Sequence, residues 1–310
     1  MRTAFIFPGQ GAQAVGMGAD LARAFPPAAE VFQKANDVLG FDLRRICFEG
    51  PADHLDDTTI SQPAIFTASA AILEVIRTAP AAGDLKPHVT AGLSLGEYTA
   101  LYAAGLLAFD DALTLVHKRG QAMQAAADAT DGAMVSIIGL DERRVNELCA
   151  EAREGGLLEP VNFNCPGQIV LSGAKAPCRR AEHLAPKYGA IKAVHLAVAG
   201  AFHTEMMAPA AETLRKALAD TRIAEPAAVK TIANTSAEYY KTAAEVKLGL
   251  AKQLTSPILW QKCMERLLAD GVETFYEIGP GRVLTGLMKR ISRKANVINL
   301  STAESIKQLV

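Results

Sequence analysis

Five consecutive residues, Gly92-Leu93-Ser94-Leu95-Gly96, form a pattern suited to nucleophilic chemistry. An apolar strand-like run precedes this G-x-S-x-G motif and a helix-forming run follows it. That context predicts a tight, strained turn that presents the Ser94 hydroxyl at the carboxyl edge of a sheet. The backbone N–H of Leu95 would then be placed to donate to a developing oxyanion. The expected chemistry is attack of Ser94 on a carbonyl carbon with a covalent intermediate.

A nucleophilic serine needs a base, and His203 is the best candidate by position. It stands in Gly200-Ala201-Phe202-His203-Thr204, just before a predicted helix and at a predicted junction between domains, where clefts form. The other five histidines fit less well. His54 and His88 lie in polar loop sequence, His117 and His183 lie in helices, and His195 lies in an apolar strand where a structural role is expected.

The glycine-rich segment after the first predicted strand has two interpretations. Residues 9–14 formally match the dinucleotide fingerprint G-x-G-x-x-G/A. That fingerprint requires an immediate helix and then a second strand ending in an acid, whereas the sequence around Glu30 predicts helix. The alternative is a polar loop that brings Gln10 towards Ser94, where its amide or backbone N–H would complete an oxyanion hole.

Alternating strand and helix patterns predict an α/β fold, with a parallel sheet and helices packed on it in the larger domain. Strands are expected at residues 3–7, 89–93, 229–232 and 274–278. Helices are expected at residues 19–39 with a break at Pro26-Pro27, and at 60–77, 96–104, 110–127, 205–218, 243–254 and 282–291. The middle of the chain has the order β-α-β-β-α-β, typical of a ferredoxin-like unit. We therefore expect a large domain of residues 1–128 and 199–310, with a small domain of residues 129–198 inserted in it.

The amino-acid composition excludes several classes of protein. The 310 residues carry 32 basic and 33 acidic side chains, 50% are hydrophobic, and the formal net charge is −1. These values exclude a disordered chain and argue against nucleic acid as the main partner. No run approaches the length of a membrane span, so no membrane association is expected. Five cysteines without a CxxC pair favour free thiols in the cytoplasm, although import into an organelle stays open.

Seven motifs in order resemble one family over nearly the whole chain. They occupy residues 7–13, 92–98, 118–120 with 123–124, 162–168, 201–204, 253–257 and 277–281. The sequence is similar to the malonyl-CoA:acyl carrier protein transacylases of type II fatty acid synthesis and to the acyltransferase domains of polyketide synthases. This resemblance implies a hydrolase-like α/β domain with a ferredoxin-like insertion, in agreement with the parallel sheet and the β-α-β-β-α-β pattern.

The resemblance also implies a role for each residue that matches a motif. Ser94 would be the nucleophile and His203 its base, with no aspartate, so that a Ser–His dyad is expected. Gln10 and the Leu95 N–H would form the oxyanion hole. Arg119 would hold the free malonyl carboxylate, which its planar fork suits better than lysine would. Gln253 would orient the histidine through its backbone carbonyl.

Three further positions bear on the substrate. Many family members carry histidine where this chain has Leu93, which puts in doubt any hydrogen bond from that position to the acyl group. Phe202 would fill the space that an α-methyl group needs, so malonyl is expected over methylmalonyl. Asn162, on a middle strand of the insertion, would face the cleft and touch substrate.

The implied reaction is ping-pong transfer of malonyl from malonyl-CoA to the phosphopantetheine thiol of an acyl carrier protein, with no cofactor or metal of the enzyme's own. Carrier proteins are acidic. Although the net charge of this chain is close to zero, two stretches of it are locally basic. Residues 160–204 hold one acid and five bases, and residues 278–303 hold five bases and no acid. Docking is expected near Lys187 and Lys192 or near Lys289 and Arg290. We expect the enzyme to be a monomer.

Other functions fit parts of the sequence. A trans-acting polyketide acyltransferase would use the same chemistry in another pathway. A serine thioesterase or other hydrolase would share the Ser94 motif and the histidine, but it would not need Arg119 or a thiol acceptor. A catalytically silent domain of a multienzyme complex is disfavoured because Ser94, His203 and Arg119 are all present.

Overall fold

The computed structural model describes residues 2–79 and 85–309, whose strands form two separate sheets. The strands are β1 (Thr3–Phe7), β2 (Val89–Gly92), β3 (Gly132–Ile138), β4 (Leu158–Cys165), β5 (Gln168–Ala174), β6 (Lys192–His195), β7 (Lys230–Thr231), β8 (Thr274–Ile278) and β9 (Asn296–Leu300). The larger sheet has the order β7-β2-β1-β8-β9, and every pair in it is parallel. This confirms the predicted α/β class with a parallel sheet.

Helices surround the parallel sheet and cover the small one. They are α1 (Ala19–Ala24), α2 (Pro26–Leu39), α3 (Leu43–Glu49), α4 (Ala52–Asp56), α5 (Thr58–Thr78), α6 (Gly96–Ala103), α7 (Phe109–Asp128), α8 (Glu142–Ala152), α9 (Lys175–Leu184), α10 (Ala208–Asp220), α11 (Ala243–Gln253), α12 (Trp260–Ala269), α13 (Val283–Ile291) and α14 (Ala303–Lys307). Short 3₁₀ turns occupy Ala185–Tyr188 and Glu205–Met207.

The two central strands are buried on both faces, as parallel sheets require. All five residues of β1 and all five of β8 are buried. Pairing of β1 with β2 places Phe7 opposite Gly92, and this brings the loops that follow the two strands to the same sheet edge. The loop after β1 carries Gln10 and the loop after β2 carries Ser94, so the topology alone puts these two residues close together.

Helix α5 forms the centre of the core on one face of the sheet. By length and composition it would also suit a membrane span, but 89% of its most apolar stretch is buried inside the protein. It packs against α2 and α7 in the main hydrophobic core. Its apolar character therefore reflects a core position. One polar residue on it, Gln62, is completely buried and faces the site described below.

The small sheet has the order β4-β5-β3-β6 and is antiparallel throughout. With α8 and α9 packed on one face, this is the ferredoxin-like arrangement that the β-α-β-β-α-β pattern predicts. The strands and helices of this unit lie between Gly132 and His195. The domain limits at residues 129 and 198 stay a prediction.

Two sets of contacts tie the small sheet to the rest of the protein. Ile258 exchanges backbone hydrogen bonds with β4, donating to the Val161 carbonyl and accepting from the Phe163 N–H. From α13, the Arg290 guanidinium donates to the side chain of Gln168 and to the carbonyl of Pro166 at the turn between β4 and β5. The inserted unit therefore adheres to the larger domain at the strand that carries Asn162.

Several elements escaped the sequence patterns. Helices α3, α4 and α14 have five to seven residues, too short for a clear period. Helix α12 is amphipathic but lies outside the predicted helices, and β9 at the sheet edge has two half-buried apolar residues and one buried one. Helix α1 begins at Ala19, ten residues after Gly9, so the immediate helix of a dinucleotide fingerprint is not formed.

Candidate active site

The turn at Ser94 is sterically closed to any residue larger than glycine at two positions. A Cβ on Gly92 would lie 1.9 Å from the Gly96 carbonyl group, and a Cβ on Gly96 would lie 2.2 Å from the Phe7 oxygen. Ser94 itself has a φ of 51°, a backbone conformation that serine rarely adopts. Strain of this kind persists only where the surroundings impose it, and here it lifts the hydroxyl clear of the backbone.

The Ser94 hydroxyl contacts the imidazole of His203, with 3.0 Å between Oγ and Nε2. The other ring nitrogen, Nδ1, lies 2.8 Å from the Gln253 carbonyl oxygen. Because a carbonyl only accepts, Nδ1 must carry the proton, which leaves the Nε2 lone pair directed at Ser94. Among the described residues no carboxylate contacts the imidazole, so the pair is arranged as a Ser–His dyad oriented by a main-chain carbonyl.

His203 is only 4% exposed, and its charged form is disfavoured. Burial, helped by the positive charge of Arg119, lowers the pKa of His203 to about 4. The imidazole is therefore neutral near pH 7 and able to accept a proton. The remaining histidines lie elsewhere: His54, His88, His183 and His195 are exposed, and His117 is half-buried beside Gln121.

Arg119 is 1% exposed and lies beside the nucleophile. Its Nη2 atom is 2.9 Å from Ser94 Oγ and 3.0 Å from Gln253 Oε1, and its Nη1 atom is 2.6 Å from Gln62 Oε1. Burial lowers the pKa of Arg119, but a guanidinium keeps its charge in proteins. A buried cation beside the reactive hydroxyl is a ready binding group for an anion.

Gln10 and Leu95, the two predicted oxyanion donors, both lie close to Ser94. Gln10 lines the cavity at Ser94, and its side-chain amide is turned towards Thr58 Oγ1 at 3.4 Å. Leu95 follows Ser94 directly at the start of α6. Neither backbone N–H is paired with an acceptor among the described residues. These two N–H groups are thus available to a ligand.

A cavity of about 90 Å³ opens at Ser94 and His203. Its walls are mainly apolar and come from both sheets and the segments between them: Gly9, Gln10, Leu93, Met123, Met134, Asn162, Leu196, Val198 and Phe202. The volume suits an acyl group of a few heavy atoms. All three residues predicted to contact substrate beside Arg119, namely Leu93, Phe202 and Asn162, lie in this wall, and the Asn162 Oδ1 atom is buried without a partner.

Phe202 is held in the cavity wall by its own backbone carbonyl and by the packing of its ring. Its backbone carbonyl accepts a hydrogen bond of 2.8 Å from Ser172 Oγ on β5. The ring is 5% exposed and packs in the main core cluster. The next residue is His203, which has a φ of 65°. The small sheet thereby positions both the wall residue and the base.

Sequence reasoning did not assign Gln62, Glu97 or Asn234 to the site. Asn234 accepts from the Ser94 N–H at 2.7 Å and donates to the Gly92 carbonyl at 2.7 Å, which fixes the turn from behind. Its signal in the sequence is its place just after β7, the strand next to β2. The available signals are weak: Gln62 lies in the mostly buried helix α5, and Glu97 is the one charged residue of α6.

Residues 4–309 match the Acyl transferase domain family. The chain is 42% identical over 307 residues to the malonyl CoA-acyl carrier protein transacylase of Bacillus subtilis, covering 99% of this chain and 95% of that one. It is 43% identical over 302 residues to the enzyme of the same name from Haemophilus influenzae, covering 97% and 96%.

Solved structures agree with these relatives over the full length. An acyl carrier protein S-malonyltransferase from Vibrio cholerae superposes with a TM-score of 0.94 at 41% identity and full coverage of both chains. A malonyl-transacylase in complex with its type II polyketide acyl carrier protein superposes with a TM-score of 0.95 at 39% identity, covering 100% of this chain and 99% of that one.

Proposed function

The chain belongs to the acyl transferase domain family, and we propose that it transfers a malonyl group from malonyl-CoA to the phosphopantetheine thiol of an acyl carrier protein. The family resemblance indicated by the sequence motifs is confirmed. The single observation that carries the proposal is the position of Ser94 Oγ. It lies 3.0 Å from a neutral imidazole nitrogen and 2.9 Å from a buried guanidinium. A base and an anion-binding group thus meet at one nucleophile.

In the first half-reaction Ser94 Oγ attacks the thioester carbonyl carbon of malonyl-CoA. His203 Nε2 accepts the hydroxyl proton, and the Gln253 carbonyl stabilises the resulting imidazolium through Nδ1–H. The backbone N–H groups of Gln10 and Leu95 stabilise the oxyanion. The carbon–sulfur bond then breaks, the proton passes from His203 to the departing thiolate, and CoA leaves behind a malonyl ester on Ser94.

The second half-reaction runs the same steps in reverse with a different thiol. The carrier's phosphopantetheine thiol gives its proton to His203 as its sulfur attacks the ester carbonyl. Collapse of the tetrahedral intermediate breaks the bond to Ser94 Oγ, which takes the proton back from the imidazole. The thiol belongs to the carrier protein, so the proposed reaction requires no cofactor or metal of the enzyme's own.

Arg119 selects acyl groups that end in a carboxylate. In the structure its Nη2 atom contacts Ser94 Oγ and its Nε atom is buried without a hydrogen-bond partner, so the guanidinium has donors to offer. A guanidinium can hold a carboxylate with two parallel hydrogen bonds. Phe202 restricts the neighbouring space and supports a preference for malonyl over methylmalonyl. Leu93 contributes apolar surface where a histidine would supply a donor.

Fatty acid synthesis is the pathway that we assign. The 39% identity to a polyketide malonyl-transacylase keeps a trans-acting polyketide acyltransferase as the second candidate. A thioesterase is disfavoured because hydrolysis gives no reason to bury a cation against the nucleophile.

We further propose that the carrier docks on the basic face formed by α13 and the residues that flank it on both sides. This face comprises Arg282, Lys289, Arg293 and Lys294, which are exposed and have no acidic partner among the described residues. In the other predicted patch, Lys187 is already paired with Glu151 at 2.7 Å. Arg290 is also engaged, because its guanidinium donates a hydrogen bond to the Pro166 carbonyl in the turn after β4. The α13 face therefore keeps more free positive charge for an acidic partner.

A cytoplasmic location and a monomeric state complete the proposal. All five cysteines are buried free thiols, which suits a reducing compartment. Every part of the site described above comes from one chain, so the chemistry requires no second copy.

Incubation with radiolabelled malonyl-CoA tests the function directly. We expect a label on Ser94 that survives gel filtration and moves to a carrier protein when that protein is added. A Ser94→Ala variant should take up no label. Release of free malonate at the same rate with and without carrier would instead support the hydrolase.

A further inference from the structure

Glu97 is a fully buried carboxyl group that the reaction above does not use. It stands on α6, three residues after the nucleophile, and is 1% exposed. It does not line the cavity at Ser94. Three groups surround its oxygens: Tyr240 Oη at 2.6 Å, Gln253 Nε2 at 2.5 Å and the Asn234 backbone N–H at 3.4 Å.

The orientation of the Gln253 amide shows that Glu97 accepts from it. Gln253 lies between Glu97 and Arg119, with 3.0 Å from Arg119 Nη2 to Gln253 Oε1. A guanidinium has no acceptor atom, so the amide oxygen must face Arg119 and the amide NH₂ must face Glu97. A protonated carboxyl could not accept equally well on both oxygens. The donors around Glu97 therefore fit a carboxylate.

Gln253 connects this carboxylate to every part of the catalytic centre. Its Nε2 atom also donates to the Ser94 carbonyl at 3.0 Å, and its own carbonyl accepts from His203. Asn234, whose N–H faces Glu97, accepts from the Ser94 N–H. One buried carboxylate thus anchors the two residues that hold the Ser94 turn, and one of these also contacts Arg119 and His203.

We propose that Glu97, as a carboxylate, is the counter-charge of the buried Arg119 and a positioning residue for the Ser94–His203 dyad, acting through the side chain of Gln253. The inference rests on the proposed function. Loss of the negative charge would weaken the hydrogen bond that holds the Gln253 amide on the side opposite Arg119. Arg119 would then be a buried cation without a compensating charge, a costly arrangement.

Titration of Glu97 gives this role a measurable signature. Burial raises the pKa of Glu97 to about 7. The hydrogen bonds from Tyr240 and Gln253 act in the opposite direction and lower it. The other titratable or charged groups that face it are Tyr98 on its own helix, Arg119 on α7 and Cys263 on α12. The pKa of His203 is far lower, at about 4. A decline in rate as the pH falls through 7 would then report Glu97.

The experiment measures the rate of Ser94 acylation by malonyl-CoA from pH 5 to 8.5 in the wild type and three variants. For the wild type we expect the rate to fall below about pH 7. Glu97→Gln should be at least tenfold slower at pH 8 and should show no decline between pH 8 and 5.5. Tyr240→Phe removes one hydrogen bond that lowers the pKa of Glu97, so its decline should move to higher pH.

Glu277→Gln is the matched control. Glu277 is also a fully buried carboxylate at the end of a parallel strand, and it accepts from the Leu284 and Thr285 N–H groups to cap α13. This variant should keep the wild-type pH profile even if it is less stable. A Glu97→Gln enzyme that is slow but retains the decline, or a Tyr240→Phe profile that does not move, would overturn the proposal. If Glu97→Gln does not fold, the Tyr240→Phe profile decides. A wild type that never acylates Ser94 would refute the proposed function instead.

Discussion

The guanidinium of Arg119 and the hydroxyl of Ser94 are 2.9 Å apart, so the group that would bind the substrate's carboxylate also holds the nucleophile. Ser94 Oγ accepts from Arg119 while His203 Nε2 lies 3.0 Å away to receive its proton. Arrival of a malonyl carboxylate gives Arg119 a stronger acceptor than a hydroxyl. Binding of the correct acyl group and release of the nucleophile are thereby linked.

Removal of the Arg119 charge should reverse the acyl preference. In Arg119→Ala we expect kcat/KM for malonyl-CoA to fall by about 10- to 150-fold, from the loss of charged hydrogen bonds of about 1.5–3 kcal/mol. Acetyl-CoA has no carboxylate and should be affected much less. Acylation rates with both thioesters measure this, with Arg119→Lys as a control that keeps the charge without the fork. An unchanged ratio between the two substrates would show that Arg119 does not select the acyl group.

Burial of His203 should make stability depend on pH. The histidine takes up its proton near pH 6.5 in the unfolded chain but only near pH 4 in the folded one. Between these values the unfolded state binds more protons at this histidine, so the contribution of His203 to the free energy of unfolding should drop as the pH falls. The contribution is at most about 1.4 kcal/mol per pH unit.

Urea unfolding at pH 7 and pH 5 checks this contribution. The wild type should lose more stability between the two pH values than His203→Gln does. His183→Gln, at an exposed position of α9, should behave like the wild type. Equal losses in all three proteins would mean that His203 is not buried in its neutral form.

Shortening Phe202 should admit an α-methyl group. For Phe202→Ala we expect methylmalonyl-CoA to gain relative to malonyl-CoA by about 10- to 200-fold in kcat/KM, the usual worth of one methyl group in an apolar pocket. Competition between the two thioesters for Ser94 gives the ratio directly. Met134→Ala, elsewhere in the same wall, serves as the control for a general enlargement of the cavity. Equal turnover of both substrates by the wild type would contradict the assignment.

Charge reversal should locate the carrier. Lys289→Glu, alone or with Arg293→Glu, is expected to raise the KM for the carrier severalfold and to leave malonyl-CoA acylation unchanged, with a smaller effect at high salt. Lys187→Glu and Lys192→Glu test the alternative patch and should have little effect, because Lys187 is already paired with Glu151. A KM that rises only for the second pair would move the docking surface to the small domain.

Local sequence was enough to predict Ser94 and the strand and helix around it, because the G-x-S-x-G motif and the patterns that flank it lie in one short segment. His203 could be ranked above the other histidines only from its place between two predicted domains. The family motifs supplied Arg119 and Gln253. The parallel class of the large sheet and the β-α-β-β-α-β succession of the small domain agreed with the patterns because alternation and apolar runs are strong signals in buried strands.

Glu97 and Asn234 were not predicted because their contacts join distant parts of the chain. Asn234 meets Ser94 across 140 positions, and Gln253 meets Glu97 across 156. Contacts between residues so far apart in the chain leave no periodic pattern in the sequence. The strand that brings Asn234 there, β7, has only two residues and is held by its pairing with β2. The supporting half of the site is therefore a product of tertiary packing.

The attachment of the small sheet has a consequence for protein engineering. Phe202, next to the base, is held by β5 through Ser172, and the chain after Gln253 is held by β4 through Ile258. The segment that carries the imidazole and the segment that follows its orienting carbonyl are thus both hydrogen-bonded to the inserted unit. A chimaera that exchanges residues 129–198 alone would combine the small sheet of one parent protein with the Ser–His dyad of the other. Functional chimaeras should carry residues 199–203 and 253–258 with the insertion, as one inherited block.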